Sequence, residues 1–318
     1  MKKYLCVVLI FLLLLCCGCK GKSYKNTETF FMMDTVVSIS ADCDSSVIKE
    51  ALDLCAYYEN MFSRTKEQSD VYKINAVDGY VKVNEETVKL IKAAKHYGEL
   101  SEGRFDVTVC PVSSLYDYKN KLLPKDDDIA KALKKVDYKK IEISDCNVAL
   151  RDAQLDLGGI AKGYITDKTV ELLKSKGVKR ATVNIGGNVY CFGDKENRIG
   201  IRKPFSDEIA ATIIWGDGTF VTSGIYQRYI EKDGKIYHHI IDTKTGYGVE
   251  NDLSSVTVIG ENSMDADALS TVCMLMGSNK GTQLIDTISG IEAVFILRDG
   301  SIKVTGGLNI NNNIITAK

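Results

Sequence analysis

Residues Leu155 to Tyr164 read LDLGGIAKGY, and the reading of this stretch decides the fold. A strand-like alternation ends in Asp156, Gly158 and Gly159 follow, and a helical pattern runs from about Ala161 to Lys176. A strand passing through a glycine turn into a helix is a building unit of α/β proteins. The same geometry favours anions, because the first N–H groups of a helix lack partners and point outward along its axis. Neither common phosphate fingerprint fits, however. Gly158 and Gly163 have the P-loop spacing, but Tyr164 stands where that loop needs lysine, and the dinucleotide GxGxxG pattern fails too. A phosphate held here needs help from elsewhere in the chain.

Outward from this turn, strands and helices alternate without repeats or low-complexity segments. The patterning predicts strands at 34–40, 139–143, 147–150, 154–157, 181–185, 236–241 and 255–259, with a hairpin at 293–305 around Asp299-Gly300. It predicts helices over 45–62, after Asn84, after Pro124, and from about Ser263 to Gly277. The SGIYQRY segment at 223–229 reads as a strand with alternating faces. The expected class is α/β, with mixed sheets and flanking helices in two interlocked lobes that enclose a cleft.

The N-terminus reads differently. Lys2 and Lys3 precede an apolar run, Tyr4 to Leu15, too short for a bilayer span of about 20 residues but suited to a secretory signal. The run stops at a small-residue cluster with Gly18 and Cys19, which resembles a lipobox whose cysteine becomes a lipidated N-terminus. The expected division is therefore a signal at 1–18, a lipid-anchored tether at 19–29 and a catalytic region at 30–318. The alternative is an uncleaved anchor. Loss of residues 1–18 takes the formal charge from -1 to -3 and leaves no basic stripe, which argues against nucleic acid as a partner. Six further cysteines show no CxxC pairing, so free core thiols are expected rather than a zinc site or disulfide framework.

Several residues could do chemistry. In MDADALSTVCMLMG, 264–277, Asp267 and Thr271 are four apart and share a helix face. One carboxylate and one hydroxyl are too few for a calcium cage but suit Mg²⁺, which keeps waters and binds substrate phosphates. The structural reading of the same residues is an acidic first turn with a threonine bonded back to a carbonyl. In YHHIIDTKTG, 237–246, either His238 or His239 could be a general base or a polar strand end. The aspartates 126–128 read as a helix start, not a metal loop.

Taken together, DLGGIAKGY, NIGGN at 184–188, HHIID-x-x-TG and ADALST resemble, in order and separation, the FAD:protein FMN transferases of the ApbE type. The resemblance extends from about Phe31 to the C-terminus. It implies that the chain takes FAD as substrate, passes FMN to a threonine or serine of a target protein, and releases AMP with the help of Mg²⁺. By motif, Asp156 and Lys162 would contact FAD, and Gly159 (through its carbonyl), Asp267 and Thr271 would hold the metal. His239 would be the general base, Asp242 would orient the histidine or the loop, and Ile241 would lie against the flavin or adenine. Met33 would touch FAD, and Gly103, Arg104, Phe105 and Asp106 would line its site. Thr65 falls where relatives often carry an aromatic residue, so ring stacking on FAD is expected to be weaker. The implied partners are FAD, an exported or membrane redox subunit as acceptor, and the membrane through the lipid on Cys19. The implied location is the outer face of the bacterial cytoplasmic membrane. Rival readings are an FAD pyrophosphatase, which would hydrolyse FAD to FMN and AMP, and a flavin- or solute-binding lipoprotein without catalysis.

Overall fold

The computed structural model describes residues 23–318, so the signal segment and Cys19 lie outside the described residues. The framework is an eight-stranded sheet in which every neighbouring pair runs antiparallel. Its order is Asn26–Met32, Thr35–Ala41, Ala181–Ile185, Asn188–Phe192, Gly218–Gly224, Leu253–Gly260, Glu292–Leu297 and Ile302–Val304. The first strand begins at Asn26, inside the stretch read as a tether, and forms the sheet edge.

Side-chain alternation explains how this sheet is covered on both faces. Val221, Val258 and Phe295 point to one core, which also holds the helices Ser45–Phe62, Ala161–Ser175 and Ser263–Met276. Phe220, Ile259, Val294 and Ile296 point the other way. They meet Ile201, Ala211, Ile213 and Ile315 of a four-stranded sheet ordered Leu308–Asn311, Ile314–Ala317, Ile209–Trp215, Asn197–Arg202. That second sheet contains the parallel pair, Ile314–Ala317 with Ile209–Trp215, so the mixture of sheets is as expected. Strand Leu253–Gly260 is buried at every position, its polar residues Ser254, Ser255 and Thr257 included. A third, small cluster of Val112, Tyr116, Ile129, Ala132 and Ile241 lies beneath the 241–248 loop.

Three local expectations are corrected. Residues 154–157 alternate in burial but form no strand beyond a single bridge from Gln154 to Val109. The side chain of Asn75 takes the place of a neighbouring strand: its Oδ1 accepts the Leu155 N–H (2.7 Å) and its Nδ2 donates to the Leu155 carbonyl (2.9 Å). The 223–229 segment is broken by a turn, with Gly224 ending one strand and Tyr229 starting the hairpin Tyr229–Lys232/Lys235–His238. A seven-residue helix, Asp70–Ala76, is too short to show a period in the sequence and was not expected; Ser69 caps it by accepting the Tyr72 N–H at 2.9 Å. All six cysteines from Cys43 onward are free, as expected.

Candidate active site

Two helices meet at the site because one of them carries a glycine. A Cβ at Gly163 would stand 2.1 Å from the carbonyl oxygen of Ser263 and 2.7 Å from Cβ of Asp267. Only a residue without a side chain permits this approach, and it lets the Gly163 N–H donate to Asp267 Oδ2 at 2.9 Å. The start of the helix bearing Asp267 is fixed from the same direction. Asp167, one turn further along the facing helix, accepts the N–H groups of Ser263 (2.8 Å) and Met264 (2.9 Å). Burial pushes the Asp167 carboxyl up to about 6, against the pull of these hydrogen bonds.

Asp267 is only 3 % exposed. Its Oδ1 faces Lys162 Nζ at 3.8 Å and Asn188 Nδ2 at 3.4 Å, both longer than a strong hydrogen bond. Thr271 Oγ1 has similarly loose partners, the Asp267 carbonyl at 3.4 Å and Ser223 Oγ at 3.3 Å. Asn188 Oδ1 is buried with no hydrogen-bond partner. This is a corner of hard oxygen atoms with unused acceptor capacity beside one fixed cation. Among the described residues no group of three His, Cys, Asp or Glu side chains is placed to hold a metal ion.

The glycine turn sits on the same corner. Asp156 Oδ1 accepts the Gly158 N–H (2.9 Å), and the Gly158 carbonyl accepts from Lys162 Nζ (3.0 Å). The Asp156 N–H donates to the Val107 carbonyl at 2.7 Å, which ties the turn to the 101–111 loop. In that loop the Phe105 ring lies under Gly159, where an added Cβ would come within 3.1 Å of Cε2.

The two histidines are separated by the end of their strand. His238 is 2 % exposed, and its Nε2 donates to the Val249 carbonyl at 3.1 Å. Burial, its largest perturbation, pulls its pKa down to about 4. His239 follows the strand and stays partly accessible. Its Nδ1 lies 3.2 Å from the Arg228 carbonyl, which can only accept, so Nδ1 carries the proton and Nε2 keeps a lone pair. Its pKa is pulled down to about 3, first by its packed surroundings, then by the Arg228 charge, with smaller contributions from His238 and Lys162. Lys162 Nζ lies between Asp267 Oδ1 (3.8 Å) and the Gly158 carbonyl (3.0 Å), so a lysine and an oxygen-rich corner meet beside the glycine turn.

Against this geometry, a profile of the ApbE family matches residues 33–295. The chain belongs to the ApbE family. It is 33 % identical over 269 residues to the FAD:protein FMN transferase of Klebsiella pneumoniae, covering 81 % of this chain and 84 % of that protein. It is 30 % identical over 300 residues to the FAD:protein FMN transferase of Treponema pallidum, covering 86 % and 83 %. Its fold is similar to the crystal structure of the ApbE protein from Thermotoga maritima (TM-score 0.81, 33 % identity, 88 % of this chain and 97 % of that one). It is also similar to the flavinyl transferase ApbE of Pseudomonas stutzeri (TM-score 0.77, 27 % identity, 88 % and 94 %).

The other residues singled out by family motif fall into two groups. Met33 stands at a hairpin turn with φ 55°, its N–H donating to Glu59 Oε1 at 3.1 Å. The Gly103 carbonyl accepts from Thr243 Oγ1 at 2.8 Å, joining the 101–111 loop to the 241–247 loop. Arg104 reaches the end of the Asp267 helix, with Nη1 3.5 Å from the Leu275 carbonyl. Other side chains serve the scaffold. Asp106 is 8 % exposed and holds the N–H and hydroxyl of Thr108 (2.7 and 2.6 Å) and the N–H of Tyr138 (2.8 Å). Asp242 Oδ1 accepts the Lys244 N–H (2.9 Å) within its own loop. Ile241 points into the small third core and forms a single bridge to Gly248. Thr65 is exposed and bonds only locally, with Ser63 Oγ at 3.2 Å. Sequence reasoning missed Gly163 and Asn188, although the glycine of AKG and the asparagine of NIGGN were both in view. It also missed Arg64, which forms an ion pair with Asp156.

Proposed function

We propose that this chain transfers FMN from FAD to a threonine or serine hydroxyl of a second protein, forming a phosphoester-linked flavin and releasing AMP. The observation that carries this reading is the Asp267 corner, with Oδ1 3.8 Å from Lys162 Nζ beside the glycine turn, in a chain of the ApbE family. The acceptor hydroxyl oxygen attacks the phosphorus of the FMN half. The bond from that phosphorus to the bridging oxygen breaks, and the electron pair leaves with AMP. The hydroxyl proton passes to His239 Nε2, whose neutral form is favoured first by its packed surroundings and then by the Arg228 charge. Lys162 offsets negative charge building on the non-bridging oxygens, from a position already fixed by the Gly158 carbonyl.

The residues present fit Mg²⁺: the Asp267 and Thr271 side chains and the Gly159 carbonyl would hold it, with phosphate oxygens and waters completing its shell. When bound, it supplies further charge compensation at the pyrophosphate. The N-terminal pattern supports an exported enzyme anchored by lipid on Cys19 at the outer face of the cytoplasmic membrane. An exported or membrane redox subunit is then the acceptor within reach.

The test is to incubate the chain from residue 20 with FAD, Mg²⁺ and a flavinylation-competent acceptor domain, and to weigh the acceptor by intact-mass spectrometry. A gain of one FMN phosphoester, abolished by EDTA, is expected. Conversion of FAD to FMN and AMP with no labelled acceptor would make the chain a pyrophosphatase. Neither change, with a validated acceptor, would leave only a binding protein.

A further inference from the structure

Arg64 lies in the loop that follows helix Ser45–Phe62, next to the position where an aromatic residue was expected and Thr65 stands. Thr65 turns to Ser63, while Arg64 reaches Asp156 of the glycine turn. Its Nε is 3.3 Å from Asp156 Oδ2, and its Nη1 donates to Ser114 Oγ at 2.6 Å, with Cys110 Sγ at 3.8 Å. Ser113 Oγ donates to the same Asp156 oxygen at 3.3 Å. Asp156 is thereby held on both oxygens, Oδ1 by the Gly158 N–H and Oδ2 by Arg64 and Ser113. The guanidinium plane is fixed by two partners, Arg64 remains 37 % exposed, and Nη2 has no hydrogen-bond partner among the described residues. A planar cation fixed in this way can both hold a carboxylate and present a face or an unused donor to a dinucleotide.

We propose that Arg64 is a substrate-positioning residue: it fixes Asp156 for contact with FAD and retains the dinucleotide by charge where relatives use an aromatic ring. The inference rests on the transferase reading, because FAD is the ligand that reading supplies. Retention through a partly exposed ion pair is sensitive to salt, whereas ring stacking is not. Arg64 touches neither His239 nor Asp267, so its loss affects substrate capture rather than the chemical step.

The experiment uses the full chain in detergent and measures FAD binding by flavin fluorescence, and steady-state transfer, for the wild type, R64A, R64K, D156N and the R64A/D156N double variant. R64A is expected to raise Kd and KM for FAD about five- to tenfold with kcat within about twofold, and R64K to recover part of the loss. Raising salt from about 50 to about 500 mM should weaken FAD binding in the wild type much more than in R64A. The double variant should bind little worse than either single one, because the two residues act as a unit. FAD binding by R64A within twofold of the wild type, a fall in kcat at unchanged KM, or additive losses in the double variant would each overturn the proposal. If R64A proves unstable, R64K and D156N decide by the same criteria. A wild type that binds no FAD would sink the transferase reading as well; a wild type that binds while R64A is unchanged sinks only this inference.

Discussion

The N–H of Gly163 and the carboxylate of Asp267 meet at 2.9 Å across two helices that approach too closely for any side chain between them. The hydrogen bond aims Oδ2 at the neighbouring helix, which leaves Oδ1 facing Lys162. A glycine with no chemistry of its own thus sets the direction of the buried Asp267 carboxylate.

Replacing Gly163 with alanine should therefore damage both stability and activity. Overpacking of this kind costs about 1–3 kcal/mol, and here the methyl group meets backbone that cannot turn aside. Thermal unfolding and acceptor labelling are measured together. An unchanged Tm with full labelling would show that the helices can separate without cost.

Asp267→Asn keeps an acceptor for the Gly163 N–H but removes the charge that faces Lys162. FMN transfer is expected to fall about 100-fold or more, the scale of losing one electrostatic stabiliser at a transferring group. FAD binding should change much less. Intact-mass kinetics with and without EDTA check this, and a variant that still transfers at the wild-type rate would remove Asp267 from the metal corner.

His239→Asn can keep the donation to the Arg228 carbonyl while removing the Nε2 lone pair. Transfer should slow by about 10²- to 10⁴-fold, the usual range for a general base, with Tm nearly unchanged. The corresponding change at His238 should leave the chemical step intact, because that ring is buried with Nε2 on Val249. Equal losses in rate at the two positions would contradict this division of labour.

Acid should destabilise the fold through the same pair. Both rings are neutral when folded, with pKa values pulled down to about 4 for His238 and about 3 for His239, so the unfolded chain binds protons first. Their stabilising contribution is complete above the unfolded value near 6.5 and is lost as pH falls through 6.5 towards 4. For buried His238 the gap from 6.5 to about 4 corresponds to about 3 kcal/mol at most. Denaturation midpoints at pH 7, 6, 5 and 4 should fall steadily, and less steeply in His238→Gln. A parallel decline in both proteins would place the acid sensitivity elsewhere.

Thr65→Tyr should restore a ring where Thr65 is now exposed. Stacking on FAD is worth about 0.5–1.5 kcal/mol, so binding should tighten several-fold, with little dependence on salt. Fluorescence titration of FAD reads this directly. No gain in affinity would mean that the 63–66 loop does not face the dinucleotide.

Much of this architecture was legible because local chemistry and tertiary demand agree. Helix Ser45–Phe62 and strand Ala181–Ile185 occupy the spans their hydrophobic periods predict. Asn84 caps its helix by accepting the Glu86 N–H. Asp267 and Thr271 share a face because helical spacing requires it. The motifs also brought the glycine turn, Lys162 and Asp267 into view, which the structure joins, and they pointed to the family. Burial alternation at 153–157 misled because alternation records which side chains face the core, not what the backbone bonds to. There, Asn75 and Val107 take the backbone groups.

By itself, the sequence determined the elements, the family and the residue types on which the chemistry depends, because propensity, spacing and motif act over a few neighbouring residues. Only the tertiary structure decided which histidine keeps an accessible lone pair, since that depends on the Arg228 and Val249 carbonyls, ten or more residues away. It likewise showed that Asp106 accepts from Thr108 and from the distant Tyr138 N–H, that Asp242 accepts the Lys244 N–H, and that Arg64 rather than Thr65 reaches Asp156. Hydrogen-bond partners and helix separations are set by packing between distant segments, where a difference of about 1 Å decides whether two groups bond.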